Sequence, residues 1–583
     1  MRNNQSSVHI FSPSSLVGIF IPTAVFIALA LTVRIDPAED AHIMFRYAQN
    51  LSSGHGLVWN AGEDPVEGAT EFLWTLILAG GITFGFDAGV FAQLAACGFA
   101  IATLMLMHTI LLRFYFVRLT YTVAATTLFA VSPIVVQARS GFGTPLFTLL
   151  LVLIWFGCLL SLDASASRKK IGGIVTASAI LLLGLTRPEG IFFGALMLIS
   201  LFMLLPRDER TRMARSVLWF CIIPGILYFL WRWQYFGWLL PNTFYAKSGT
   251  EIIHTSGFAA ILRFFWIALP ILILMFYHVM HAERDERKNY SWMLMPVVIF
   301  PWFYLLIEQM QNIGMRFQFP VFPLLLLCFA VAAEKIARVE FLFTRNEFLK
   351  LFALVYVLGI LIWIAPMLGG SVFMLSFAGA SAIVAIVCFL LWRYQKFFPP
   401  FLERARLNTR SLFFYLATFF MLMNVLSLTT QNTAAEYDHR MRMGKALSVF
   451  AEKKYTMATT EAGWLPYFSR WRAVDPFGLY DEYIAHHGLD EKYLDVIAPE
   501  LIIFHVYSDA YKQKWVHGDE RWNAMTQKLY HYARSHQYRL AARVGVHHDC
   551  FWYFVKKECP DADSLVSLIA HQEGMQYTTP VEE

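Results

Sequence analysis

The sequence predicts a polytopic α-helical membrane protein of about 13 transmembrane helices, followed by a C-terminal soluble domain of mixed α/β type. Three observations lead there. The chain is 57% hydrophobic and only 15% charged, where a soluble domain is nearer about 25% charged. Apolar runs of about 17–23 residues, the length a helix needs to cross a bilayer, recur along most of its length. The composition then changes near Thr430, and residues 430–583 hold no further run of that length.

Taken in order, the candidate spans lie near 17–33, 90–112, 119–137, 144–163, 171–185, 190–206, 215–231, 257–279, 291–307, 317–334, 350–367, 371–392 and 411–429. The first has no small-residue cleavage pattern after it and reads as a retained span. Segment 72–86 is also apolar, but counting it as a crossing inverts every later loop. It is placed as a re-entrant or interfacial helix; the alternative is that it crosses and another span does not.

Charge sets the orientation. Lys and Arg gather at 113–118, 168–170, 207–215, 284–288, 335–350 and 393–410. These loops alternate with loops that carry unusual polar motifs, as expected when basic loops stay in the cytoplasm. The N-terminus is therefore inside and residues 430–583 outside. That tail holds 17 Lys and Arg against 21 Asp and Glu, so the excess of basic charge lies in the membrane part. Nothing has the pattern of a nucleic-acid patch.

Within the tail, 434–453 and 520–536 have helical spacing, and 455–460, 501–506, 539–546 and 551–555 read as short strands. Five cysteines fall in spans, where they act as small apolar residues. Cys550 and Cys559 sit in the outside domain, where paired thiols tend to oxidise, so a disulfide is expected between them. The His pairs at 486–487 and 547–548 lack metal-ligand spacing and read as solvated surface.

The most informative stretch is the first outward loop, 34–71, and the start of the segment after it. It places Asp36, Glu39, Asp40, Arg46, Glu63, Asp64 and Glu67 at the membrane surface. Ile43, Tyr47 and Leu51 share one helical face, which puts Asp40 at a helix start. A carboxylate there is as well explained by capping as by catalysis. Trp59, Trp74 and Trp238 are candidates to stack on sugar, although aromatics are also common at membrane interfaces.

The motifs carry a resemblance. Glu39-Asp40-Ala41-His42-Ile43, Arg46-Tyr47, Gly54-His55-Gly56-Leu57-Val58, Val66-Glu67-Gly68 and Leu73-Trp74 resemble the first-loop signature of the GT-C superfamily of integral-membrane glycosyltransferases. The likeness is nearest to the cell-wall arabinofuranosyltransferase-like group. It continues through Thr186-Arg187-Pro188-Glu189-Gly190, Tyr235-Phe236-Gly237, and Pro241-Asn242-Thr243-Phe244-Tyr245-Ala246-Lys247. Gly314 with Arg316, Pro320 and Pro323 follows. In the tail come Glu461-Ala462-Gly463, Pro466-Tyr467, Val474-Asp475 and Gly478-Leu479-Tyr480-Asp481. The family usually has two aspartates at Glu39-Asp40 and an aromatic at His42. It often has an acid where Gly143 stands.

The resemblance implies an inverting glycosyltransferase of the bacterial inner membrane. Its donor would be a polyprenyl-phosphate sugar, possibly arabinofuranose, and its acceptor an extracytoplasmic hydroxyl on an envelope glycan, lipid or protein. Such transfer needs a base for the acceptor proton, a cation for the leaving phosphate and an apolar groove for the lipid. Asp40 is the expected base, with Glu39 second. Arg316, Lys247 and Arg187 are the expected phosphate-binding cations, with snorkelling at a helix end the competing role for each. Arg187 has a further alternative, pairing with Glu189 to hold its loop. Arg46, Tyr47, His55, Glu67, Trp74, Asn242, Tyr245, Glu461, Tyr467 and Asp475 are the expected substrate contacts. No cofactor is assigned, and Gly143 weakens the case for a divalent metal. The rival class is a transporter or flippase of a lipid-linked sugar, which would tend to show internal repeats and polar residues in mid-span. A non-catalytic scaffold would tolerate the loss of Asp40.

Overall fold

A computed structural model describes residues 13–247, 255–306, 309, 311–338, 439–509, 514–515, 520–546 and 549–578. The expected spans at 350–367, 371–392 and 411–429, the residues 434–438 and His547-His548 lie outside the described residues. The chain forms two compact units. One comprises Met1–Ile35, Gln93–Pro224 and Glu251–Ala434; the other comprises Asp36–Ala92, Gly225–Thr250 and Ala435–Glu583.

The first unit is helical. Among the described residues of the whole chain, six helices are long and apolar enough to cross a membrane, or seven if one bent pair within Thr255–His281 counts as a span. Expected span 119–137 is not one helix. It divides into Leu119–Ala130 and Ile134–Arg139 around Pro133, whose ring and missing N–H interrupt a helix. The span expected at 291–307 likewise passes from the helix Arg284–Ile299 into a tighter turn, Phe300–Leu305. Helices Thr144–Ser161 and Ala166–Thr186 pack through small residues. A Cβ on Gly157 would lie 2.8 Å from the Thr176 backbone nitrogen, and one on Gly172 would lie 2.5 Å from that of Ser161. Such close approach is how helices associate where lipid removes the hydrophobic drive. Large apolar side chains such as Phe20, Leu31 and Ile191 stay exposed, the surface a bilayer would cover.

The second unit is built on a five-stranded sheet. Its strands are β1 (Thr456–Thr459), β2 (Arg472–Val474), β3 (Leu501–Val506), β6 (Tyr538–Val546) and β7 (Asp549–Lys556). The order is β2-β1-β3-β7-β6, while β4 (Ser508–Asp509) and β5 (Lys514–Trp515) form a separate pair. Strands β2, β1 and β3 run parallel, and β7 runs antiparallel to both neighbours. Residues of β3 and β7 are buried on both faces, which is why they read as near-continuous apolar runs. Ile484, Leu494, Leu529 and Tyr532 from neighbouring helices pack with Ile502, Phe504 and Phe554 into the core. Asp481 and Asp490 cap two of those helices, accepting from Ile484 N at 2.9 Å and Tyr493 N at 2.7 Å.

Two further pieces belong to this unit. Helix Ala41–Ser52 buries Ala41 through Ala48. Helix Phe72–Thr83 has 12 residues, about 18 Å of rise. That is shorter than the roughly 30 Å hydrocarbon core.

The expected Cys550–Cys559 disulfide is not formed; both thiols are free and buried. Cys550 is the second residue of β7 and Cys559 lies three residues past its end. The extended residues between them span roughly 20 Å at about 3.3 Å each, and a bridge needs Cα atoms within about 7 Å. Cys550 instead accepts the Trp552 indole N–H at 3.1 Å.

Candidate active site

In the second unit, the first loop is tied to the carboxyl-terminal ends of the parallel strands. From β1 the chain passes to β2 on one side and returns to β3 on the other, so its direction reverses at β1. Crevices at such reversals, outside the carboxyl ends of strands, are where open α/β sheets bind ligands. Glu461 follows β1 and Asp475 follows β2.

Strand β2 is an edge, and the loop covers it. The Asn60 side chain accepts from Ala473 N and donates to Ala473 O, both at 3.0 Å. The Trp59 indole N–H donates to the same carbonyl at 3.0 Å, and Glu63 pairs with Arg472. These contacts satisfy backbone groups that an open edge would expose.

Arg46 is a clamp between segments of this unit. It donates to Trp59 O at 2.8 Å, Pro466 O at 2.6 Å, Asn60 Oδ1 at 2.8 Å and Trp471 O at 2.9 Å. Its guanidinium lies 4.6 Å over the Trp59 ring, and Trp59 stacks on Tyr480 at 4.5 Å. Burial lowers its pKa to about 10, so it remains charged at neutral pH.

Several other expected substrate contacts also hold the scaffold. Tyr47 donates to Val66 O at 2.6 Å and accepts from Gly68 N at 3.2 Å. Glu67 forms a two-point ion pair with Arg232, with Nε to Oε1 at 2.7 Å. Burial raises the Glu67 carboxyl and Arg232 opposes that rise. Asn242 donates to Gly478 O at 2.7 Å and Leu479 O at 3.0 Å. Asp475 accepts from Phe477 N at 2.9 Å and Leu479 N at 2.6 Å, and burial pushes its carboxyl up to about 7. Trp74 is fully buried, so it packs the core and offers no platform for a sugar.

The remaining contacts are more open. His55 is exposed in the turn after helix Ala41–Ser52. Tyr245 lies half-buried with Trp238 and His486, whose rings stack at 3.9 Å. Lys247 is half-buried at the end of the short helix Asn242–Lys247. Tyr467 lies 5.0 Å from the His42 ring, and burial raises its hydroxyl to about 12.

The acidic centre is made by Glu39, Asp40 and Glu461. Asp40 occupies the cap position of Ala41–Ser52 but makes no side-chain capping bond, so the capping alternative is not realised. It is half-buried. Glu39 is 7% exposed and its Oε1 accepts the Gly463 N–H. Glu461 is buried and paired with Arg440. The Glu39 carboxyl is pushed well above the usual range by burial, then by the charges of Asp40 and Glu461; Arg440 opposes and a hydrogen bond with Asp40 adds. Arg440 was not singled out in the sequence, where it lies in an expected helix with no motif around it. Among the described residues, no three His, Cys, Asp or Glu side chains form a set suited to a metal ion.

In the first unit three motif pieces meet. Arg187 pairs with Glu189 at 2.7 Å, the loop-holding alternative, and Tyr304 donates to Glu189 at 3.2 Å. Arg316 lies 3.6 Å over the Phe142 ring. Gly314 accepts from Gln137 Nε2 at 2.8 Å. Both guanidinium groups approach the Phe317 ring, at 4.9 and 5.0 Å.

Comparison with known proteins adds three findings. Residues 430–557 match a family model described as a domain of unknown function, DUF8728. The chain is 25% identical over 259 residues to the terminal beta-(1->2)-arabinofuranosyltransferase of Corynebacterium glutamicum, covering 40% of this chain and 37% of that relative. The match therefore spans little more than a third of that relative. The crystal structure of ArnT from Cupriavidus metallidurans in the apo state superposes with a TM-score of 0.53 at 14% identity, covering 92% of this chain and 97% of that one. The structure of the same protein bound to undecaprenyl phosphate gives 0.53 at 12% identity with the same coverage. At these identities the likeness is one of fold.

Proposed function

We propose that this chain, which shares the fold of ArnT and resembles the GT-C glycosyltransferases, moves a sugar from a polyprenyl phosphate to an acceptor hydroxyl outside the cytoplasm. The observation that carries this reading is the adjacent carboxyl pair Glu39–Asp40 at the carboxyl ends of β1 and β2. Burial and like charge favour a proton on Glu39. Asp40 then removes the acceptor proton as the new glycosidic bond forms. In the first unit, the buried Arg316 supplies positive charge for the leaving phosphate, beside Arg187 in its pair with Glu189. Attack opposite the leaving phosphate inverts the anomeric centre. Arabinofuranose is the favoured sugar, supported by the Corynebacterium relative and the motif likeness.

The test is transfer by the purified full-length protein in detergent, with polyprenyl-phosphate pentoses as donors and envelope glycans, lipids or proteins as acceptors. A transferase yields glycosylated acceptor and free polyprenyl phosphate. A transporter or flippase yields neither, because detergent leaves no second compartment. Absence of product with every donor and acceptor pair would reject the reading.

A further inference from the structure

We propose, resting on the transferase reading above, that the C-terminal domain completes the reacting centre, with Glu39 held by the Gly463 amide as a positioning residue for Asp40. The geometry is specific. Gly463 lies in the loop that leaves β1 and stands at the cap of helix Trp464–Ser469. Its N–H is donated to Glu39 Oε1. A Cβ at position 463 would fall 2.0 Å from the Glu39 carbonyl oxygen and 2.6 Å from its carboxyl oxygen, so the approach requires glycine. Arg46 makes a second tie between the same segments through Pro466 O and Trp471 O.

Charge completes the arrangement. The charged groups facing Glu39 are Asp40 on its own segment, Glu461 from the loop after β1, and Arg440 from helix His439–Leu447. Three carboxyls then face one guanidinium, and Arg440 is already paired with Glu461 and lies 5.2 Å over Trp464. A proton on Glu39 relieves the like-charge contact with Asp40. Its O–H then donates to Asp40 and fixes the orientation of that carboxylate. The amide sets Glu39, and Glu39 sets the base.

The experiment uses the full-length protein in the transfer assay, with kcat, donor KM and pH profile measured for Glu39→Gln and Glu39→Ala. Gln keeps an acceptor for the Gly463 N–H and a donor for Asp40, so its kcat should lie well above that of Glu39→Ala. Ala should lower kcat by about 10²-fold, the scale of a misplaced catalytic group, with donor KM unchanged. Wild-type activity should fall at high pH as Glu39 loses its proton, and Glu39→Gln should lack that fall. The inference is overturned if Glu39→Gln is as inactive as Asp40→Asn, if folded Glu39→Ala keeps wild-type kcat, or if the alkaline fall persists in Glu39→Gln. An inactive wild type would instead reject the transferase reading, and this inference with it.

Discussion

Arg187 and Arg316 approach the same aromatic ring, their guanidinium carbons 4.9 and 5.0 Å from the centroid of Phe317. Both are buried, and Arg187 is matched by Glu189 at 2.7 Å. Two buried guanidiniums around one ring bring two planar donors together, the type of group that meets phosphate oxygens in a forked geometry.

Arg316→Ala should therefore weaken binding of a polyprenyl-phosphate donor by roughly 10- to 100-fold, the value of one or two charge-assisted hydrogen bonds. Arg316→Lys should recover only part, since an ammonium lacks the planar fork. Binding of polyprenyl phosphate to the purified variants checks this, and unchanged affinity in Arg316→Ala would remove the residue from the donor site.

His42 gives a pH signature. Its Nδ1 lies 2.9 Å from Ala38 O, and Phe45, Tyr467 and Phe468 enclose its ring within 5.2 Å. Burial lowers its pKa from 6.5 to about 4. Below pH 6.5 the unfolded chain takes up a proton that the folded chain refuses. Stability from this site is thus full above about 6.5 and is lost as pH falls toward about 4, by an amount on the order of 3 kcal/mol. Asp475, raised to about 7, acts the other way, losing stability as pH rises from about 4 to about 7. His42→Phe isolates the first effect. Its melting temperature should decline less than that of the wild type between pH 6.5 and 4, and parallel curves would contradict the assignment.

The sequence was legible where periodicity or composition carries the signal. Expected strands at 455–460, 501–506, 539–546 and 551–555 correspond to β1, β3, β6 and β7. Strand β2 was not seen, because three residues show no alternation. The first-loop motifs did not reveal the division of labour among their residues. Arg46, Glu67, Asn242 and Asp475 look like ligand-binding residues in a sequence, yet each is committed to partners in the fold. Only contacts distant in sequence, such as Arg46 to Trp471, reveal that. The same limit applies to Arg440, which becomes relevant only through Glu461.

The expected pairing of the two tail cysteines rested on an expected compartment and not on geometry. Cys550 and Cys559 are separated by the extended strand β7 and are free. Unfolding the protein in a thiol-alkylating reagent, with no reductant, should label both. A peptide map that returns them joined would contradict the structure.

The account turns on Asp40, and the most direct measurement is turnover by Asp40→Asn in the purified full-length protein. Asn preserves the size of the side chain but cannot accept a proton near neutral pH. Since Asp40 makes no side-chain capping bond, helix Ala41–Ser52 should be undisturbed. The predicted result is a loss of about 10²–10⁴ in kcat, the usual contribution of a general base, with donor binding and melting temperature unchanged. Near-normal turnover by Asp40→Asn would contradict the assignment of the first loop as the reacting centre.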